Sequence, residues 1–210
     1  MIKCGRPSKG NEQLSRDRVL DTALTLLLEQ GYGDLSMEAL ARDARVSLRT
    51  LYNQFGAKSG LLGALIRRCG DQFMDSLTDD GDLETTLNSF GRQFLFRITR
   101  PDVIRIRAIL LAESPRFPDL ATQFYEQGPR RTLSHLAAFF KREQQAGRIV
   151  EGEPWLLAEQ YICALRGERI QRLQLGLEAA PNEAEIEQWV RQATQWFLRG
   201  CLVVRPVNED

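Results

Sequence analysis

Long hydrophobic runs are missing from this 210-residue sequence: its most apolar stretches, such as Ala23 to Leu28 interrupted by Thr25, fall far short of the ~20 residues that cross a bilayer. The opening residues are basic but lead into no apolar segment, which reads as the absence of a secretory signal and as a cytoplasmic chain. Disulfides are not expected in that compartment, and the four cysteines lie too far apart for the close pairs of common zinc sites. Cys69, Cys163 and Cys201 are read instead as small core residues. Histidine is reduced to His135, with no nucleophile motif around it, so a Ser/His/Asp triad has no support. Neither a phosphate loop G-x-x-x-x-G-K nor a dinucleotide fingerprint occurs. These absences leave no candidate catalytic residue, metal ligand or cofactor site, and they argue against an enzyme. With 43% hydrophobic and 27% charged residues, the composition is that of a chain that folds around its own core.

Net charge is also absent, but only in sum, since 28 Lys and Arg balance 28 Asp and Glu. Residues 1–70 hold eleven basic side chains against seven acidic ones. Such an excess suits a polyanion and equally a solvated surface, so charge alone decides nothing.

Strand-like alternation and internal repeats are missing too, and helical periodicity fills the chain between Gly and Pro breaks. Ser15 reads as the N-cap of a first helix with Leu20, Ala23, Leu24 and Leu27 on one face, closed by Gly31. Ser36 and Ser47 then cap two short helices, and a longer one follows from about Ala57 to Leu77. Asp79-Asp80-Gly81 marks a turn and a domain boundary. Beyond it, helices are predicted from Leu83 to Ile98, Asp102 to Glu113, Pro118 to Gln145, Pro154 to about Leu175, and Asn182 to about Val204. The Asp102 to Glu113 segment is apolar enough to be a buried helix. The predicted fold is all-α, with roughly nine helices.

The second short helix puts Leu51 and Phe55 at i, i+4 on its inner side and leaves Leu48, Arg49, Thr50, Tyr52 and Asn53 around its outside. A preceding helix, a tight turn and this outward face make a helix-turn-helix unit whose second helix fits the major groove. Arg49 suits a guanine edge, while Leu48 and Thr50 suit a thymine methyl or phosphate. Ser36, Tyr52 and Lys58 stand where phosphates would pass. Ser47 and Asn53 complete the candidate contact set, and Arg6 in Gly5-Arg6-Pro7 is a candidate for a narrow minor groove.

The ordered run Gly31 to Ala41, then Ala44-Arg45-Val46-Ser47-Leu48-Arg49-Thr50-Leu51-Tyr52-Asn53-Gln54-Phe55, then Lys58 and Leu61-Leu62, resembles the DNA-binding signature of the TetR family of bacterial transcriptional regulators. The resemblance implies a homodimer whose small N-terminal head binds DNA and whose larger helical part binds an effector and dimerises through its last two helices. The corresponding division is an arm and head over residues 1–58, a connecting helix over 59–80, and an effector and dimerisation domain over 81–210. Three departures stand out. Arg45 occupies a turn position where the family usually has Gly, at a cost that a phosphate contact would offset in part; Gly is also common at the position of Arg49, so its base-reading role is not what the resemblance implies; and Ser59-Gly60 follows Lys58 where Glu is usual, which weakens the start of that helix.

The rest of the chain is less specific. Glu113-Ser114-Pro115-Arg116-Phe117-Pro118-Asp119-Leu120, with Phe124-Tyr125 and Gly128-Pro129, resembles one subgroup of the family's effector domains. A mostly apolar effector cavity is expected among Phe94, Ile98, Ile109, Phe117, Phe124, Trp155 and Tyr161. Arg97, Arg105, Arg107 and Arg166 offer charge for an anion, or for ion pairs with Glu113 and Glu168. Ile162, Arg169, Trp189, Val190, Trp196 and Phe197 form the candidate dimer face. The expected function is a repressor that binds a palindromic double-stranded operator and is released by a small-molecule effector. The alternative is a DNA-bound protein with the same head under the control of a protein partner.

Overall fold

Capping chemistry sets most of the helix boundaries in the computed structural model, which describes residues 9–74, 76–77 and 81–202. Among these residues there are ten helices: α1 (Lys9–Asp34), α2 (Met37–Asp43), α3 (Leu48–Phe55), α4 (Lys58–Met74), α5 (Leu83–Ile98), α6 (Pro101–Glu113), α7 (Pro118–Gln127), α8 (Pro129–Gln145), α9 (Pro154–Gln174) and α10 (Glu183–Cys201). The Ser36, Asp82 and Asn182 side chains each accept the backbone N–H three residues on, and Glu185 closes a capping box at the start of α10. None of the described helices is long and apolar enough to cross a membrane.

Three details depart from the periodicity reading. The stretch from Pro118 to Gln145 is two helices, because Gly128 adopts a non-helical backbone (φ −114°, ψ −94°) and Pro129 opens α8 as its first residue. Ser15 lies inside α1, which begins at Lys9; Gln13 and Asp17, one turn apart, bond across the expected start at 3.2 Å. α6 is not wholly buried: only Ile106 and Leu110 are covered, and Leu111 is half exposed. Of the cysteines read as core, Cys201 is buried, Cys69 is partly covered and accepts from Arg97 Nη2 at 3.2 Å, and Cys163 faces out from α9.

The chain divides into two compact units, Met1–Arg68 with Arg105–Gln127, and Cys69–Ile104 with Gly128–Asp210. The first has a core of Leu20, Leu27, Leu40, Leu51, Leu61, Leu110 and Leu120, drawn from helices adjacent in sequence and from α6 and α7. In the second, α5, α8, α9 and α10 surround Phe90, Phe139, Phe140, Tyr161 and Val190. The Tyr161 hydroxyl donates its one proton to the Leu87 carbonyl (2.8 Å) and accepts from Thr194 Oγ1 (2.9 Å), so this buried phenol is satisfied on both sides. Burial raises its pKa far above that of ordinary tyrosine, and it stays neutral. The buried Glu143 carboxylate is likewise paired, with Arg148 at 2.6 Å.

Candidate nucleic-acid interface

The geometry of the first unit is built from two serine caps and one turn. Ser36 Oγ accepts from Ala39 N–H (3.0 Å) and starts α2; Ser47 Oγ accepts from Thr50 N–H (3.0 Å) and starts α3. Between them the chain makes a Schellman turn, with Val46 N–H on Ala41 O at 2.9 Å and Arg45 N–H on Arg42 O at 3.2 Å. The same double bond ends α8 and α9, at Gly147 (φ 67°) and Gly176 (φ 70°). At the end of α2 the left-handed position is filled by Arg45 (φ 55°), the one non-glycine residue with positive φ among those described. Its backbone is strained relative to glycine. Arg45→Gly is therefore expected to stabilise the fold by about 0.5–1 kcal/mol, the steric cost of a side chain there less the extra entropy of unfolded glycine. Thermal melting checks this, with a rise of roughly 2 °C expected.

The turn is also braced from outside, because Arg18 Nε of α1 donates to the Ala44 carbonyl at 2.9 Å. Val46 packs back onto the core, as the Schellman geometry favours. α3 then buries Leu51 completely and Phe55 nearly so, with the Arg16 guanidinium 5.0 Å above the Phe55 ring. Its opposite side presents Arg49, Asn53 and Tyr52, the last 47% exposed. Leu48 and Thr50 are only half exposed: Leu48 leans on the core, and Thr50 Oγ1 is hydrogen-bonded to Ser47 Oγ at 2.7 Å. Arg45 and Ser47 are exposed beside this face, and Ser36 is half buried. Arg6 lies outside the described residues.

Lys58 has a more complex setting. Its Nζ donates to Gly33 O at 3.0 Å and stands 4.4 Å over the Tyr32 ring. Burial pulls its pKa below the ordinary lysine range, against the opposing pull of Glu113 and Asp34. Tyr32 is pushed the other way, first by burial and then by Asp119 and Glu113. Gly60, a helix-weakening residue by sequence alone, has a steric role: a Cβ there would overlap the Phe55 carbonyl oxygen at the end of α3. Glu113, a candidate ion-pair partner by sequence, accepts the backbone N–H groups of Tyr32 and Gly33. Glu168 pairs within its own helix, with Arg172 at 3.9 Å.

The other candidates fall into separate places. Ile109, Phe117 and Phe124 pack on the core of the first unit, and Phe94, Ile98 and Tyr161 on that of the second. Trp155, at the start of α9, donates from its ring nitrogen to Glu159 at 3.0 Å. In the α9 and α10 set, Val190 is 1% exposed and Phe197 packs between Phe140 and Tyr161, so both serve the core of their own unit. Trp196 is 68% exposed; Ile162 and Trp189 are half buried, with Arg169 4.7 Å above the Trp189 ring.

Known proteins with this arrangement are numerous. Residues 19–65 match the family model described as "Bacterial regulatory proteins, tetR family", and residues 85–200 match "AefR-like transcriptional repressor, C-terminal domain". The chain is 28% identical over 187 residues to the HTH-type transcriptional regulator YvkB of Bacillus subtilis (strain 168), covering 87% of this chain and 95% of that one. Among solved structures, it is similar to the Flavonoid-responsive Regulator FrrA, with a TM-score of 0.73 and 33% identity over 92% of this chain and 100% of FrrA. It also shares the fold of a TetR transcriptional regulator from Agrobacterium tumefaciens, with a TM-score of 0.70 and 22% identity over 90% and 95% of the two chains.

Proposed function

This chain belongs to the TetR family of bacterial regulators, and we propose that it is a homodimeric repressor that grips a palindromic operator and is released by a small apolar or amphipathic molecule. That it regulates transcription, and is no enzyme, follows from the family. The observation that carries the DNA reading is α3: two buried residues anchor it, while Arg49, Tyr52 and Asn53 project from the other side. Arg49 addresses a base edge, with Leu48, Thr50 and Asn53 beside it. Ser36, Arg45, Ser47, Tyr52 and Lys58 hold phosphates, and Arg6 belongs to an arm that follows the minor groove.

Two copies related by a two-fold axis would read half-sites one helical turn, about 34 Å, or a multiple of it apart. The exposed Trp196, together with the partly exposed Ile162 and Trp189 and the Arg169 guanidinium over the Trp189 ring, supports a dimer face on α9 and α10. Repression is supported by the repressor description of the matching C-terminal model, and a small aromatic effector by the flavonoid-responsive relative. To move operators from mostly occupied to mostly free, the effector must prefer the non-binding state by ~10⁴-fold. One observation favours a second reading, control by a protein partner: Tyr161 and Phe94, expected to line a cavity, are packed against Phe90 instead.

The deciding experiment is selection of genomic fragments by the purified chain at about 150 mM salt, where weak phosphate attraction is screened. An enriched palindrome is the expected result; retention of all fragments alike would sink the operator reading. Arg49→Ala should then relax preference at one base pair per half-site by ~1–3 kcal/mol and leave the others intact. A uniform loss across sequences would make Arg49 a phosphate contact.

A further inference from the structure

The joint between α1 and α2 is held by a side chain from far along the sequence. Gly31 interrupts α1 with a backbone (φ 80°, ψ 178°) that a residue with a side chain rarely adopts. Just beyond it, Glu113 at the end of α6 accepts from Tyr32 N–H through Oε1 at 2.8 Å and from Gly33 N–H through Oε2 at 2.6 Å. The carboxylate lies so close that a Cβ on Gly31 would stand 2.6 Å from Oε1. Lys58 takes the other edge of the same segment through the Gly33 carbonyl, and the Tyr32 ring meets Phe117 edge-on at 5.3 Å. Buried Leu35 and the Ser36 cap follow directly, so this segment decides where α2 begins. α2 in turn leads through the Arg45 turn into α3.

We propose that Glu113 is a positioning residue for DNA recognition: its two carboxylate oxygens lock the Tyr32–Gly33 backbone, and that lock sets the angle at which α3 is presented to the groove. Glu113 itself touches no DNA, and the proposal rests on the DNA reading above. The chemistry calls for a carboxylate. Two backbone donors need two acceptors, and a glutamine would offer one oxygen while turning an N–H₂ toward the other donor. With one amide unpaired, the joint opens part of the time, and apparent affinity falls with the fraction that remains closed. The core of the unit, built on Leu40, Leu51, Leu61 and Leu110, does not depend on the carboxylate.

The test uses the full chain as wild type, Glu113→Gln and Leu120→Val, with a DNA fragment selected by the wild type. Leu120 is a buried core residue of the same unit and serves as the stability control. Affinity is measured at a temperature at which circular dichroism shows each of the three to be folded, across a series of salt concentrations. Glu113→Gln is expected to weaken binding about tenfold with an unchanged salt slope, because no phosphate contact is removed. The Tyr32 and Gly33 amides should also exchange faster with solvent, while Leu120→Val lowers the melting temperature and keeps wild-type affinity. Wild-type affinity in Glu113→Gln overturns the proposal, as does a loss in both variants that simply tracks their melting temperatures. A wild-type chain that retains no fragment overturns the DNA reading and this proposal with it.

Discussion

Leu51→Ala is expected to abolish sequence-selective DNA binding while Arg49→Ala, two residues away, leaves the fold intact. Leu51 is 0% exposed and anchors an eight-residue helix. Isolated helices that short are not stable in water, so α3 exists only because its inner face is packed. Removing a buried leucine side chain costs about 2–5 kcal/mol, part of it for the cavity left behind. Within one small unit that loss falls on the elements that share the core with α3, namely α1, α2, α4, α6 and α7. Amide exchange should show α3 opening far more often in Leu51→Ala than in the wild type, and selected fragments should no longer be retained at 150 mM salt. If Leu51→Ala binds DNA with native selectivity, α3 is not the reading element.

Gly60→Ala is the second substitution with a large expected effect, and its sign is opposite to the usual one. Glycine to alanine inside a helix ordinarily stabilises by about 1 kcal/mol. At Gly60 the added methyl would overlap the backbone oxygen of Phe55, which cannot swing away as a side chain can. Either α4 or the end of α3 must move by roughly 1 Å to restore an ordinary contact. Overpacking of this kind costs ~1–3 kcal/mol and more where backbone is involved, so the strain outweighs the gain in propensity. The expected outcome is a lower melting temperature together with weaker operator binding, since the displaced segment carries Tyr52 and Asn53. A Gly60→Ala chain that melts higher than wild type would show that the α3–α4 junction has room to relax.

The cost at Arg45 belongs to the same region and makes a different point. Among the described residues, glycine holds two Schellman ends and arginine a third, so a gain in stability from Arg45→Gly together with a loss of operator affinity would identify the arginine as retained for its contact. Stability and binding are separable at that one position because backbone conformation and guanidinium act on different equilibria.

Much of the head is legible in the sequence. Ser36 and Ser47 are caps because their side chains bond amides three residues on, a relation written entirely in local spacing. Leu51 and Phe55 are inward for an equally local reason, their separation by one helical turn. The α9 and α10 starts at Pro154 and Asn182 follow the same logic. The places where the reading failed share a different character. Val190 and Phe197 read as surface for a partner because periodicity gives the direction of an apolar face but not what covers it; here Gly91, Phe140 and Tyr161 do. Arg49, Tyr52 and Asn53 could be placed on the outside of a helix, but the half-burial of Leu48 and Thr50 depended on the unit packed behind them.

The sequence by itself determined the all-helical class, the capped pair of short helices and the family, because each is carried by neighbours within a few turns of one another. Tertiary structure alone decided that Glu113 closes on Tyr32 and Gly33, 81 and 80 residues away, and that Gly60 makes room for the Phe55 carbonyl. Those relations have no local signature: a carboxylate at the end of one helix is free to pair with any arginine until folding brings two backbone donors within 3 Å of it.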